Sequence, residues 1–148
     1  MSWMEDTQKA INYIEDNLLE VSAENAANYI YSSSDHFQRM FLIVTGFTVS
    51  EYIRNRKLSL AGRELVVSSN KVIDIALKYG YSSPTAFNRA FQNQHKVSPK
   101  YARSRKVPLV SYPRISLLIS IKGVAEMKVK IEQKPAFSIV GVKKKSSI

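Results

Sequence analysis

The chain has 148 residues, enough for one compact domain with a buried core or for one domain with an appendage. At 45% hydrophobic and 23% charged residues it has a globular composition, and the lack of cysteine excludes a disulfide framework, a cysteine nucleophile and cysteine-held metals. The net charge of +10 is uneven: residues 1–35 hold one base and seven acids, 36–106 thirteen bases and three acids, and 107–148 eight bases and two acids, a polarity that points to a polyanionic partner.

Residues 4–20 place Ala10, Ile11, Tyr13, Ile14, Leu18 and Leu19 at helical spacing. Ser22 is suited to cap a second, two-turn helix carrying Ala26, Ala27 and Ile30, with Glu24 in its first turn. Ser32-Ser33-Ser34-Asp35 should break that helix and start another. In the third, Phe37, Met40, Phe41 and Val44 recur at i, i+3, i+4 and i+7, and Gly46 ends it. Residues 50–67 read as one long helix, buried through Tyr52, Ile53, Leu58, Ala61 and Leu65 and decorated by Arg54, Arg56, Lys57 and Arg63. Ser68-Ser69-Asn70 should stop it and cap a fifth helix holding Val72, Ile73, Ile75, Ala76 and Leu77, ended by Gly80. Ser83-Pro84 and Ser98-Pro99 start two more, since proline is tolerated at the first helical position. Pro108 and Pro113 then bracket a linker. Beyond it Ile115, Leu117, Ile119 and Ile121, then Met127, Val129 and Ile131, alternate with polar residues, and a third run begins at Phe137. Period-two alternation predicts strands.

The chain contains an internal repeat. Tyr31-Ser32-Ser33, Phe37, Arg39 and Phe41 recur as Tyr81-Ser82-Ser83, Phe87, Arg89 and Phe91, all 50 residues on. Each copy reads as short helix, tight turn, longer helix, the plan of a helix-turn-helix. The long helix between them would span about 27–30 Å. Successive major-groove faces on one side of B-DNA lie about 34 Å apart, so such a rod could hold two recognition helices in adjacent grooves.

At Asp74-Ile75-Ala76-Leu77-Lys78-Tyr79-Gly80-Tyr81, Phe87-Asn88-Arg89-Ala90-Phe91 and Val97-Ser98-Pro99-Lys100-Tyr101-Ala102-Arg103 the sequence resembles the AraC/XylS family of bacterial transcription regulators. Tyr52-Ile53-Arg54-Asn55-Arg56-Lys57-Leu58 is similar to that family's linker helix. The resemblance covers residues 4–106. It implies a mainly α, homeodomain-like domain of about seven helices over 1–106, with two helix-turn-helix subdomains that bind double-stranded DNA without a metal or cofactor, and RNA polymerase as a further partner. The segment 107–148 is similar, through Ile119-Ser-Ile-Lys-Gly and Met127-Lys-Val-Lys-Ile-Glu, to the opening of a GyrI-like effector domain. It is expected to be a linker and a short β-rich extension. Most of such a domain, and any small-molecule effector it binds, would lie beyond Ile148.

Outward positions at the start of each second helix meet base edges. They are Ser34, Asp35, Gln38 and Arg39 in the first copy and Thr85, Asn88 and Arg89 in the second. Arginine suits guanine, glutamine and asparagine suit adenine, and threonine can meet a thymine methyl. Asp35 either accepts from cytosine N4 or caps its helix, the cap being favoured. Arg39 and Arg89 either read bases, hold phosphate or pair with an acid. Ser33 and Ser83 are expected as helix caps that free amides for phosphate, with Arg54, Arg56 and Lys57 as further phosphate contacts. Pro84 stands where relatives often carry a polar residue. A bulky residue replaces glycine in the first turn, at Ile30-Tyr31, which predicts a different turn geometry or a reoriented first recognition helix. His36 is expected packed or phosphate-facing, His95 as a helix C-terminal cation or a surface residue, and Trp3 anchored on the first helix or disordered.

No nucleophile–base pair, phosphate loop or metal-ligand spacing supports an enzyme. No apolar run approaches the roughly 20 residues of a membrane span. Residues 1–10 lack a signal peptide's apolar segment, and no basic stretch faces a wide apolar stripe. These features predict a cytoplasmic, sequence-specific DNA-binding regulator. The alternative is a sequence-indifferent or architectural DNA binder, or a protein-interaction module.

Overall fold

A computed structural model describes residues 2–117 of the chain. Seven helices lie among them: α1 (Trp3–Asp16), α2 (Ala23–Tyr29), α3 (Ser34–Thr45), α4 (Val49–Val67), α5 (Val72–Lys78), α6 (Pro84–His95) and α7 (Pro99–Arg105). Ile115 and Leu117, expected to open the first strand, lie in chain that forms no strand among the described residues, and the rest of that run, Ile119 and Ile121, with those around Met127, Val129, Ile131 and Phe137 lies outside them.

Serine caps most of these helices. Ser2 and Glu5 form a reciprocal capping box on α1, and those bonds hold the Glu5 carboxyl below its usual range. Ser22 and Asn25 do the same on α2, and Thr48 and Glu51 on α4, which therefore starts at Val49. α1 stops at Asp16, short of Leu18 and Leu19, because the Asn17 amide nitrogen turns back onto the Tyr13 carbonyl at 2.9 Å. α5 departs from expectation. Its N-cap is Lys71, without a side-chain cap, while Ser68 bonds back to the Glu64 carbonyl at 2.7 Å.

The chain forms two compact units, residues up to Ile53 together with those from Arg114, and Arg54–Pro113. In the first, α1, α2 and α3 enclose Ile11, Ile14, Ala27, Phe37 and Phe41, with Tyr52 against Phe41. In the second, Leu58, Leu65, Ile75, Phe87 and Phe91 form the centre. Burying one such side chain is worth about 1.5–3 kcal/mol.

The two helix-turn-helix turns differ by one residue. Four residues separate α2 from α3, and five separate α5 from α6. The offset is therefore 49 before the turn, with Ala27 matching Ala76, and 50 after it, with Phe37 matching Phe87. Tyr31 thus stands opposite Gly80, not opposite Tyr81. Both turns close alike. Tyr31 N–H bonds to Asn28 O and Ser32 N–H to Ala27 O, as Gly80 N–H bonds to Leu77 O and Tyr81 N–H to Ala76 O. The expected change of turn is a change of length, and the left-handed closure is kept. Tyr31 adopts φ 58° where Gly80 has φ 90°. For a residue with a Cβ that region costs about 1–2 kcal/mol.

The segment after α7 is held by side chains. On the second unit, Val110 N–H donates to His95 Nδ1 (3.1 Å), Val110 O accepts from Gln94 (2.8 Å), Tyr112 N–H donates to Ser59 Oγ (2.8 Å) and Tyr112 O accepts from Arg56 (2.9 Å). On the first unit, Ile115 N–H donates to the Tyr52 hydroxyl and Leu117 N–H to Gln8 Oε1. Gly62 leaves room for this segment, since a Cβ there would lie 2.8 Å from Leu109 Cδ1.

His95 is neither a surface residue nor a cation. It is 4% exposed, and its Nε2 donates to Leu58 O at 2.9 Å while Nδ1 accepts from Val110. Burial holds its pKa below the usual histidine value, outweighing the opposing pull of the Leu58 bond. Unfolded, His95 takes up a proton as pH falls through about 6.5; folded, it resists until lower pH. Its contribution is complete above that value and is lost below it. Urea titrations followed by circular dichroism should show the midpoint falling from pH 7 to pH 5, and His95→Gln should remove that part of the fall.

Candidate nucleic-acid interface

Ser33 Oγ accepts the His36 N–H at 3.2 Å and so starts α3. Phe37 and Phe41, one turn apart with rings 5.7 Å between centroids, face inward. The helical period then turns Asp35, Gln38 and Arg39 outward, all exposed, with Ser34 half-buried. Gln38 Nε2 donates to Ser34 Oγ at 2.8 Å, which joins two of the expected base-facing residues into one polar edge. Asp35 is not the cap, which is Ser33; it occupies the first turn, where its charge suits the positive helix end.

α6 repeats the arrangement. Ser83 Oγ accepts the Ala86 N–H at 3.1 Å, and Pro84 is the first helical residue. Phe87 and Phe91 are fully buried, and Thr85, Asn88 and Arg89 are exposed. Tyr81, half-buried, packs its ring 5.5 Å from Phe87, a role Tyr31 does not share. Among the described residues neither Arg39 nor Arg89 forms an ion pair, which leaves both cations available on the outward faces.

The three bases of α4 expected as phosphate contacts separate. Arg54 is exposed. Lys57 is half-buried, its Nζ 3.7 Å from where a Cβ on Gly80 would stand, and burial lowers its pKa. Arg56 is half-buried and committed in part to the Tyr112 carbonyl. Three other bases are also engaged. Arg103 donates to the carbonyls of Leu65, Ser68 and Asn70, closing the C-terminal end of α4, and Lys106 donates to Val66 O. Lys78 pairs with Glu64 at 2.9 Å, a bond that pulls the Glu64 carboxyl below its usual range.

Residues 54–113 carry twelve bases and two acids. The described residues of the first unit carry three bases (Lys9, Arg39, Arg114) and eight acids. Among the described residues, the two outward helix faces therefore stand in opposite electrostatic surroundings. In the first unit an open groove of about 350 Å³ runs beside the start of α3, lined by Trp3, Thr7, Tyr31, Ser33 and His36 among others. Trp3 begins α1 and is 48% exposed, and His36 is exposed. Tyr31, matched in letters to Tyr81 and standing where the second turn has glycine, is 98% exposed, which neither feature of the sequence announces.

The profile of the Helix-turn-helix domain family matches residues 26–105. The chain is 38% identical over 100 residues to the uncharacterized HTH-type transcriptional regulator YbfP of Bacillus subtilis, covering 67% of this chain and 34% of that protein. It is 38% identical over 96 residues to the transposon Tn10 TetD protein of Escherichia coli, covering 64% of this chain and 70% of that one. The DNA-binding domain of AdpA, solved in complex with a target DNA, superposes with a TM-score of 0.62 at 25% identity over 68% of this chain and 91% of that domain. The chain thus spans about a third of YbfP and over two thirds of TetD.

The two serine caps should each matter to stability. Ser33→Ala and Ser83→Ala are expected to cost about 1 kcal/mol apiece, read as lowered denaturant midpoints with unchanged slope.

Proposed function

Because the chain belongs to the AraC-type helix-turn-helix family of DNA-binding transcription regulators, we propose that it binds a specific, non-palindromic duplex site by inserting α3 and α6 into two adjacent major grooves. One observation carries this reading. In both helices a buried phenylalanine pair turns an amide side chain and an arginine outward at matching positions, Gln38 and Arg39 in one, Asn88 and Arg89 in the other. α4 supports it, because 19 residues make a continuous rod of about 28 Å.

Gln38 and Asn88 read adenine, Arg39 and Arg89 read guanine, and Thr85 meets a thymine methyl. Ser34 and Asp35 complete the first set. Arg54 holds phosphate, while Arg56 and Lys57 support the interface from partly buried positions. The activity is binding and regulation, without catalysis or a cofactor. RNA polymerase is the partner through which binding becomes regulation. Residues 1–106 form the DNA-binding domain. Residues 107–148 form the linker and the opening of a GyrI-like effector domain, which supplies response to a small molecule. The site of action is the cytoplasm.

Selection of bound duplexes from a random library tests the reading directly. A bipartite site with halves about one helical turn apart is expected, and recovery of unrelated sequences would overturn it. On the selected duplex, Arg39→Ala and Arg89→Ala should each weaken binding by about 1–3 kcal/mol and relax preference at one base pair. Arg54→Ala should weaken binding alike on all sequences and reduce the salt slope by about 1.

A further inference from the structure

Tyr31 is the one position where the first reader pays a conformational cost that the second avoids. Its backbone is left-handed at φ 58°, where the second turn has Gly80. Its side chain is 98% exposed, so the ring gains nothing from the core in return. A bulky residue held in a sparsely populated backbone region without packing is a candidate for function. Its location gives that function a direction. Tyr31 lies two residues before the Ser33 cap of α3 and lines the same groove as Ser32, Ser33 and His36, at the rim of the helix proposed to enter the major groove.

The charge of this unit supplies the second argument. Its described residues hold eight acids and three bases. Of the bases, Arg114 donates to Asn12 at 2.7 Å, and only Arg39 belongs to α3. The cations that usually hold a reader against the phosphate backbone are scarce here. Uncharged donors make such contacts too, and the tyrosine hydroxyl is one of them.

We propose that the Tyr31 hydroxyl donates to a backbone phosphate beside the first recognition helix, a contact that positions α3 where only one described cation, Arg39, lies on the helix itself. This rests on the DNA-binding reading above. A neutral donor releases no counterion, whereas each lysine or arginine on a phosphate adds about one to the salt slope. The contact therefore has a signature of its own, affinity without salt dependence.

The test uses the full chain, the duplex chosen by library selection and an unrelated duplex of the same length. Tyr31→Phe keeps the ring and the backbone and removes only the hydroxyl. It should weaken binding about 3- to 10-fold on both duplexes, with the slope of log affinity against log salt unchanged. Tyr31→Gly should raise Tm by about 2–6 °C while losing at least as much affinity. The opposite signs of these two effects separate a binding role from a folding role. Wild-type affinity in Tyr31→Phe overturns the proposal, and so does a lowered Tm in Tyr31→Gly. If the wild-type chain binds both duplexes equally, the sequence-specific reading fails, yet the loss in Tyr31→Phe still supports a phosphate contact. If the wild-type chain binds neither duplex, both readings fall.

Discussion

Each reader depends on two phenylalanines one helical turn apart. Phe37 and Phe41 in α3, and Phe87 and Phe91 in α6, are 0–2% exposed, and each pair meets at a tilted ring angle. A single buried contact would leave a helix free to rotate about its axis. Two contacts on one stripe fix the rotation, and with it the direction of every outward side chain. Gln38 and Arg39 are outward because Phe37 and Phe41 are inward, and the same holds for Asn88 and Arg89. The chemistry of the surface is thus set by the packing beneath it, and a change at either pair would alter binding without touching a polar residue.

The two readers share this frame and differ in what surrounds it. The second unit concentrates basic residues, though Arg56, Arg103 and Lys106 are partly spent on carbonyls of their own unit. The described residues of the first are acidic, with eight acids against three bases. Of the described residues, those at 54–113 therefore supply most of the attraction a polyanion would meet, and residues 118–148 of the sequence add seven lysines against two acids. The two copies share the inward stripe and the arginine, and differ in charge and turn length. Asp35 fits this division, since an acid in the first turn stabilises α3 but repels phosphate.

The helices were legible because their signals are local. Serine before an amphipathic run, proline at the first helical position and glycine after the last turn all mark real boundaries at Ser22, Ser33, Ser83, Ser98 and Gly46. The outward sets follow from period alone and stand exposed, except half-buried Ser34. The errors arise where a residue's role depends on a distant partner. Tyr31-Ser32-Ser33 and Tyr81-Ser82-Ser83 match in letters at an offset of 50, which leaves Ile30-Tyr31 jointly opposite the glycine; the backbone closure places Tyr31 itself at the Gly80 position. Lys71 caps α5 without a side-chain bond because Ser68 is drawn back to Glu64. His95 looked like a charged helix end, and nothing near it in sequence announces Leu58 or Val110.

The segment after α7 shows why polar residues on inward faces were hardest to place. Two prolines and an absence of helical period read as a linker, which would be solvated. An extended chain lying against a protein must instead satisfy its own N–H and C=O groups, and among the described residues no strand pairs with these positions. Side chains do that work. Val110 is bonded through both its N–H and its C=O, by His95 and Gln94, and Tyr112 through both of its groups, by Ser59 and Arg56. Each of the four belongs to α4 or α6 and is buried or half-buried. On the first unit Tyr52 and Gln8 serve Ile115 and Leu117 likewise. Arginine, histidine, serine and glutamine on a DNA-binding helix suggest base or phosphate contacts when read as letters. Here they replace the missing ladder of a β-strand, so part of the polar surface of these helices belongs to the chain's own backbone and not to nucleic acid.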